Sequence, residues 1–195
     1  MKAILFIGTN KSGSSREAIR TAEKLGFYTI LLTLNKKQLI QRSDYPDVHL
    51  MKLCNIEDFE EMKSIIINIQ KKGIKIKAIT SFVDGRCGMA NRLAKEFGLK
   101  FFTVEAICKM EDKLQSRNAI MNSKYCPKFI SIEPDKECLE ENIKDFFPAI
   151  IKSPKSAGSN DVYKVDDYES FMNRLSNLRK KVNNLPILLE EYLEG

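Results

Sequence analysis

The feature that most constrains the fold is the alternation of short apolar runs with helical segments over the first 104 residues. Lys2–Ile7 is an apolar run that ends at Gly8, which is the pattern of a buried parallel strand. The predicted strands are residues 2–7, 28–34, 48–53, 77–83 and 100–103. The predicted helices begin at a capping box from Ser14 to Glu17, at an Asn55 cap and at Met89, and they end at Gly26, Gly73 and Gly98. This alternation predicts a parallel, doubly wound α/β sheet.

The remaining residues predict a less regular α+β region. Its predicted helices are residues 105–122, 136–146 and 168–181. Its predicted strands are residues 125–132, 149–151 and 187–191, with one more after the loop 156–162. The predicted domains are therefore residues 1–104 and 105–195.

The net charge of +6 raises the question of nucleic-acid binding. The lysines are spread along the chain and interleaved with acidic residues, and no arginine-rich arm or aromatic-basic motif occurs. A solvated lysine-rich surface explains this pattern better, and anionic nucleotide substrates fit it equally well. We therefore expect neither a nucleic-acid partner nor, because no apolar run is long enough, a membrane span.

Cysteine and histidine usage narrows the chemistry further. The 5 cysteines include no C-x-x-C pair, and their odd number argues against a closed disulfide framework. His49 is the only histidine, which nearly excludes a His-based zinc site or a catalytic triad. The first apolar run is too short for a signal peptide, so a reduced, cytoplasmic setting is expected.

Two loops follow predicted strands in the first domain and are candidate substrate sites. The loop from Gly8 to Ser15 lacks the P-loop lysine, and Asn10 occupies the second glycine of a dinucleotide-binding pattern. It is either a tight turn or a helix N-terminus that binds a carboxylate or phosphate. Asp84 and Arg86 follow another strand, where open sheets place ligands, although a plain turn explains them as well.

Lys152 follows the apolar residues 149–151 and precedes a loop of small residues, Ser156, Ala157, Gly158 and Ser159. A lysine at the end of a buried strand is costly unless its charge is used or reaches solvent. The small side chains allow the backbone to approach an anion closely. A hairpin loop with a solvent-reaching lysine is the equally weighted alternative.

Local chemistry does not decide the role of two more pairs of charged residues. Glu190 and Glu191 continue an apolar strand. They are either a feature of a sheet edge, groups that face a ligand, or a weak metal site. Lys113 and Arg117 lie four apart on one predicted helical face, a spacing that is common on solvated helices.

Taken in order, these pieces resemble the N-terminal portion of ATP-grasp enzymes, the group that includes biotin carboxylase, carbamoyl-phosphate synthetase large chains, D-alanine–D-alanine ligase and amino-acid ligases. The matched motifs are Asp112-Lys113 with Arg117, Tyr125-Cys126-Pro127, Ile151-Lys152-Ser153-Pro154, the loop 156–162 and LLEEYLEG. The resemblance covers the whole chain. It implies a preATP-grasp domain over residues 1–104 and the first ATP-grasp lobe over residues 105–195.

The resemblance also implies residue roles. Lys113 and Lys152 would contact ATP phosphates, and Ser156, Ala157, Gly158 and Ser159 would form a mobile lid. Glu190, Glu191 and Leu193 would form the hinge that reads adenine through main-chain groups. Asp161 stands where many members have glycine. No catalytic residue is predicted.

The family's reaction is the ATP-dependent activation of a carboxylate as an acyl phosphate, which an amine or other nucleophile then attacks. Family members place the Mg²⁺ ligands in a second lobe, so the resemblance implies that residues 1–195 are part of a longer ADP-forming ligase and are inactive alone. The expected cofactors are ATP and Mg²⁺. The expected partners are ATP, a small carboxylate such as an amino acid, and a second copy in a homodimer.

Two other functions remain open from the sequence. The first is a non-catalytic module that binds a nucleotide or metabolite. The second is a basic RNA-associated protein, against which the scattered charge argues.

Overall fold

The computed structural model describes residues 1–156, 158, 160–182 and 184–194. The chain divides into two compact units, Met1–Ile107 and Cys108–Gly195. The division falls between Ile107 and Cys108, whereas the sequence predicts it near residue 104. Within the described ranges, no helix is both long enough and apolar enough to cross a membrane.

Unit 1 is built on a four-stranded sheet. Its strands are β1 (Lys2–Ile7), β2 (Tyr28–Thr33), β3 (Leu50–Leu53) and β4 (Lys75–Thr80). They lie in the order β3-β2-β1-β4, and all three pairings are parallel. The predicted parallel α/β sheet is thereby confirmed.

The helices of unit 1 follow the strands in alternation. They are α1 (Ser14–Lys24), α2 (Lys36–Ile40), α3 (Phe59–Lys71), α4 (Cys87–Glu96) and α5 (Val104–Glu111), which crosses the division. Side chains of α3 and α4 pack with Leu5 and Ile7, and side chains of α1 pack with Phe6. Since both faces of β1 are covered, the strand is apolar without alternation.

Three local predictions in unit 1 are wrong. The residue that caps α1 is Gly13, at φ +82°, and no side chain caps this helix. The cap of α3 is Asp58, whose side chain accepts the Glu61 N–H at 3.0 Å. Residues 100–103 form no strand, because the Phe102 N–H donates to the side chain of Asn91 instead of to a sheet neighbour.

Unit 2 is built on a second four-stranded sheet. Its strands are β5 (Phe129–Ile132), β6 (Ala149–Lys152), β7 (Val162–Val165) and β8 (Ile187–Glu191). They lie in the order β5-β8-β6-β7, with every pairing antiparallel. The helix α7 (Tyr168–Lys181) covers one face, where Phe171 and Leu175 pack against Ile151 and Leu189.

Two predicted helices of unit 2 differ in the structure. The helix predicted over residues 105–122 is split into α5 and α6 (Lys113–Ile120). Asp112 separates them, because its backbone is extended and its side chain accepts the N–H groups of the next helix at Leu114 and Gln115.

The helix predicted over residues 136–146 is replaced by two short 3₁₀ turns, Glu140–Asn142 and Lys144–Phe146. Side chains of α7 bind the carbonyl groups of this segment. Arg179 donates to the Lys136 carbonyl at 2.6 Å, and the Tyr168 hydroxyl donates to the Cys138 carbonyl at 2.9 Å. These tertiary contacts outweigh the helical pattern of the sequence.

Candidate functional site

The two faces of the unit 2 sheet differ in chemistry. Ile151 and Leu189 point to the core under α7. In the antiparallel register Ile150 lies opposite Glu190, and Lys152 lies opposite Leu188. Since side chains alternate along a strand, Lys152 and Glu190 are diagonal neighbours on the face away from α7.

An ion cluster forms on that face from Lys152, Glu190 and Arg117 of α6. The Lys152 Nζ lies 2.5 Å from the Glu190 Oε2, and the Arg117 Nε lies 2.7 Å from the Glu190 Oε1. An Arg117 guanidinium NH₂ group donates to the same Oε2 at 3.3 Å. The side chains of Lys152, Glu190 and Arg117 are 11%, 6% and 24% exposed, so the cluster is largely withdrawn from water.

The burial of Lys152 excludes one of its two interpretations, a lysine that reaches solvent. The loop after Lys152 does join the two strands of a hairpin, β6 and β7. The lysine nevertheless does not extend into solvent, because its ammonium group is paired with Glu190 inside the protein. The strand β8 is an interior strand of the sheet, so the interpretation of its glutamates as an edge feature is wrong.

Lys113 lies against the loop between β6 and β7. Its backbone N–H donates to the Pro154 carbonyl at 2.9 Å, and its ammonium group donates to the Ser156 carbonyl. The base of the loop is closed by a hydrogen bond from the Ser153 N–H to the Asp161 carbonyl at 3.1 Å. The structure therefore brings together Lys113, Lys152, Ser156 and Glu190, which come from three separate segments of the sequence.

The backbone of the loop bears on its predicted role as a lid. Gly158 has φ +64° and Asp161 has φ +54°, both in the left-handed region that favours glycine. Asp161 therefore adopts a backbone conformation that favours glycine, at a position where the matched motif often has glycine. The predicted lid residues Ala157 and Ser159 lie outside the described residues.

A shallow groove of about 440 Å³ borders the loop and the end of α7. Its lining residues are Ser153, Lys155, Ser156, Asp161, Lys181, Val182 and Leu185. A hydrogen bond from Lys181 to Asp161, 2.6 Å long, raises the pKa of this lysine above its ordinary value. One of the two lysines of the groove is thus already paired with a carboxylate.

The other predicted hinge residues are placed differently from Glu190. The Glu191 carboxylate accepts the Lys128 N–H at 2.8 Å, and its own N–H donates to the Lys128 carbonyl. The Tyr192 N–H donates to the Pro148 carbonyl. Leu193 follows β8 with its side chain 64% exposed. Glu191 thus fastens β8 to the start of β5, and only Glu190 joins the ion cluster.

The candidate substrate residues lie in unit 1, at the carboxyl ends of β1 and β4. Gly8 follows β1 at φ +70°, and a Cβ there would lie 3.8 Å from Val83 after β4. Asp84 is exposed, and the Arg86 side chain is paired with Glu57. The two loops are therefore neighbours at one edge of the sheet, and their role in substrate binding stays a prediction.

The structure adds Arg117 to the predicted site residues. The sequence favours a solvated helical face for it, and the signals that point to it are its spacing of four from Lys113 and its place in the matched motif with Asp112-Lys113. Its contact with Glu190 joins residues 73 positions apart. That contact follows from the packing of α6 on the sheet, which no local pattern displays.

Metal ligation has a clear result for the described part of the chain. No group of three or more His, Cys, Asp or Glu side chains lies close enough to hold a metal ion. We therefore assign no Mg²⁺ ligand among the described residues and derive no step through this ion.

Comparisons with known proteins give results at the level of structure alone. No protein-family model matches the sequence, and no curated protein matches it. Among solved structures, the L-amino acid ligase from Bacillus licheniformis matches with a TM-score of 0.71 and 16% identity, over 100% of this chain and 45% of that one. The chain thus spans about half the length of this ligase.

Two further structures are those of nucleotide complexes. The N5-carboxyaminoimidazole synthetase from Staphylococcus aureus, complexed with ADP, has a TM-score of 0.68 and 14% identity over 98% of this chain and 48% of its own. The biotin carboxylase domain of the Hydrogenobacter thermophilus 2-oxoglutarate carboxylase, complexed with MgADP, has a TM-score of 0.64 and 17% identity over 98% and 44%. The fold of this chain is therefore that of the N-terminal portion of ATP-grasp ligases.

Proposed function

We propose that this chain provides the preATP-grasp domain and the first ATP-binding lobe of an ATP-dependent, ADP-forming ligase. The observation that supports this proposal best is the convergence of Lys113, Lys152 and the loop 153–161 at one end of the unit 2 sheet. The convergence occurs in a fold shared with an L-amino acid ligase and with two proteins solved in complex with ADP or MgADP.

In the proposed reaction a carboxylate oxygen attacks the γ-phosphorus of ATP. The bond from this phosphorus to the ADP oxygen breaks, ADP leaves and an acyl phosphate forms. An amine or other nucleophile then adds to the acyl carbon and displaces phosphate. The protein's contribution is positioning and charge neutralisation, for which lysine ammonium groups and backbone N–H groups are suited.

The residues divide between the two ends of the nucleotide. Lys113 and Lys152 would bind the phosphates, with the lid residues closing over them, and the hinge after Glu190 would read the adenine. In unit 1, the loops of Gly8, Asp84 and Arg86 would bind the carboxylate substrate, for which an amino acid is our first choice. A homodimer is part of the proposal, since the Hydrogenobacter neighbour is described as a domain dimer.

The first test is nucleotide binding by the 195-residue chain. Calorimetric titration with ATP and with ADP, each with Mg²⁺, should show saturable binding to the wild type. Lys113→Gln should weaken ATP binding by about tenfold, the effect of losing one charge-assisted contact of about 1.4 kcal/mol. Lys144→Gln is a matched control, because Lys144 is an exposed lysine in a 3₁₀ turn of the same unit. Absence of any nucleotide binding would overturn the proposal for this lobe.

The second test is turnover by the whole protein. With ATP, Mg²⁺ and a panel of amino acids and small carboxylates, ADP release should rise above background for at least one substrate. If ATP binds but no panel member raises ADP release, a non-catalytic nucleotide-binding module becomes the better description.

A further inference from the structure

The ion cluster of unit 2 carries an imbalance of charge. Two cationic side chains, Lys152 and Arg117, share the single carboxylate of Glu190. The formal charge of the three side chains is therefore +1. Lys152 and Glu190 are nearly withdrawn from water, and an excess charge in such a place is costly unless another charged group compensates it.

Both cationic side chains contact the same oxygen atom of Glu190. The Glu190 Oε2 lies 2.5 Å from the Lys152 Nζ and also accepts from Arg117 at 3.3 Å. The Arg117 Nε is close to the other oxygen, at 2.7 Å, but is not aligned as a hydrogen-bond donor. Arg117 thus lies close to both oxygens of the Glu190 carboxylate and competes with Lys152 for Oε2.

We propose that Arg117 is a positioning residue that neutralises Glu190 and thereby leaves the charge of Lys152 for the phosphates of a nucleoside triphosphate. This inference rests on the proposed function, because it assumes that Lys152 faces the nucleotide. Glu190 holds the lysine in place, and Arg117 prevents this carboxylate from cancelling the charge of the lysine. The excess positive charge of the cluster is then met by the anionic ligand.

The proposal predicts an effect that a structural arginine would not have. In Arg117→Gln, Lys152 and Glu190 form a neutral pair, so the lysine attracts phosphate less although it is still present. The loss of affinity in this variant should grow with the number of phosphates on the ligand. We expect the affinity for ATP to fall by about tenfold and the affinity for adenosine to change by less than about twofold.

The control is Arg174→Gln in α7, on the opposite face of the sheet. Arg174 is exposed and stacks on the Tyr163 ring, and its replacement changes the net charge of the chain by the same amount. It should leave the affinities for both ligands unchanged. Equal weakening of adenosine and ATP in Arg117→Gln would indicate a structural role and would overturn the inference.

Removal of the Glu190 charge gives a test of opposite sign. In the double variant Arg117→Gln/Glu190→Gln, Lys152 is no longer neutralised, and the ATP affinity should recover to within about threefold of the wild type. Arg117→Lys, which keeps the positive charge, should also stay within about threefold. A double variant weaker than Arg117→Gln alone would contradict the proposal.

The outcomes distinguish a failure of this inference from a failure of the proposed function. Thermal unfolding first verifies that each variant is folded. If Arg117→Gln does not fold, Arg117→Lys alone decides the matter, because it keeps a positive charge beside Glu190 and should bind ATP within about threefold of the wild type, whereas a loss of more than about tenfold would overturn the inference. Failure of the wild type to bind ATP would count against the proposed function. Wild-type ATP binding with an unaffected Arg117→Gln would count against this inference alone.

Discussion

Each unit of this protein contains a buried ion cluster built around one carboxylate, and the two clusters differ in how completely they are balanced. In unit 1, Arg16 is paired with Asp47 through both oxygens of the carboxylate. The two side chains are 1% and 8% exposed. The guanidinium also donates to the Asp44 carbonyl and lies 4.8 Å from the centre of the Tyr45 ring.

The cluster of unit 2 also consists of basic and acidic side chains, but it has two cations for one carboxylate. Glu190 is opposed by two cations, and Arg117 approaches it with one donor poorly aligned. Arg117 also keeps 24% of its side chain exposed, which leaves a route to water.

The comparison teaches that burial alone does not mark a functional charge. A balanced and enclosed pair joins elements of the fold, as Arg16 of α1 joins the segment before β3. In our proposal, an unbalanced cluster beside a loop of small residues has charge left for a ligand. The following predictions test this distinction, beginning with the one that should change stability most.

The largest effect is expected from Asp47→Ala. Arg16 would remain buried without its partner, and the free energy of unfolding of unit 1 should fall by about 3–5 kcal/mol. Hydrogen exchange at the amides of β1 and β2 measures this loss for unit 1 specifically. The double variant Arg16→Met/Asp47→Leu is the control, and it should lose much less because no unpaired charge remains. A loss as large in the double variant would show that the pair does more than balance charge.

The second prediction concerns Lys152→Gln in unit 2. Glu190 keeps Arg117 as a partner, so the free energy of unfolding should change by less than about 1 kcal/mol. The affinity for ATP should fall by at least about tenfold, since the ammonium group is gone. Calorimetric titration and thermal unfolding check the two effects. A destabilisation as large as that of Asp47→Ala, with unchanged ATP affinity, would remove the distinction between the clusters.

The third prediction concerns the stability of unit 1 at alkaline pH. Burial, with a smaller contribution from Glu61, raises the pKa of Cys54 in unit 1 from 9.0 to about 11. Because the folded state holds this proton more tightly, its stabilising contribution is fully present below pH 9 and is lost as the pH rises through about 11. The free energy of unfolding of unit 1 should therefore fall in this range.

Urea unfolding between pH 8 and pH 11, compared with Cys54→Ala, isolates the contribution of this thiol. The variant should show the shallower dependence on pH. Identical slopes for the two proteins would contradict the raised pKa.

The smallest effect is expected at the other end of the pH scale, in unit 2. Asp167 caps α7, and hydrogen bonds from Ser170, first from its backbone N–H, lower the pKa of this carboxyl group below its ordinary value. Its contribution is present above the ordinary pKa of about 4 and is lost as the pH falls through the lowered one.

Asp167→Ala should slightly destabilise unit 2 near pH 7 and flatten its acid dependence. Asp167→Asn keeps the capping oxygen and should lose less stability. Hydrogen exchange at the amides of α7 is the measurement. Equal effects of the two variants would show that capping by a side-chain oxygen contributes nothing here.

The sequence predicts the sheet of unit 1 well because its strands are buried on both faces. Hydrophobic periodicity and helix-ending glycines are local signals, and the folded structure agrees with both. Cap positions are less predictable, since Ser14, Gly13, Asn55 and Asp58 are all acceptable caps. Their choice depends on where the packed helix begins.

The helix predicted over residues 136–146 shows the opposite case. Its pattern is helical, yet Arg179 and Tyr168 of α7 bind its carbonyl groups, and the segment forms two 3₁₀ turns. Contacts from a distant helix decided its conformation. The same holds for Asp112, whose cap divides a continuous helical pattern into two helices.

Three features could be predicted from the sequence alone: the α/β alternation, the position of Lys152 at the end of an apolar strand, and the order of motifs that resembles ATP-grasp enzymes. These features depend on neighbours within a few positions along the chain. Only the tertiary structure decided which charges meet: Lys152 with Glu190, Arg117 with the same carboxylate, and Lys113 with the loop that follows Lys152. Ion pairs of this kind join residues up to 73 positions apart, and their formation depends on strand register and helix packing.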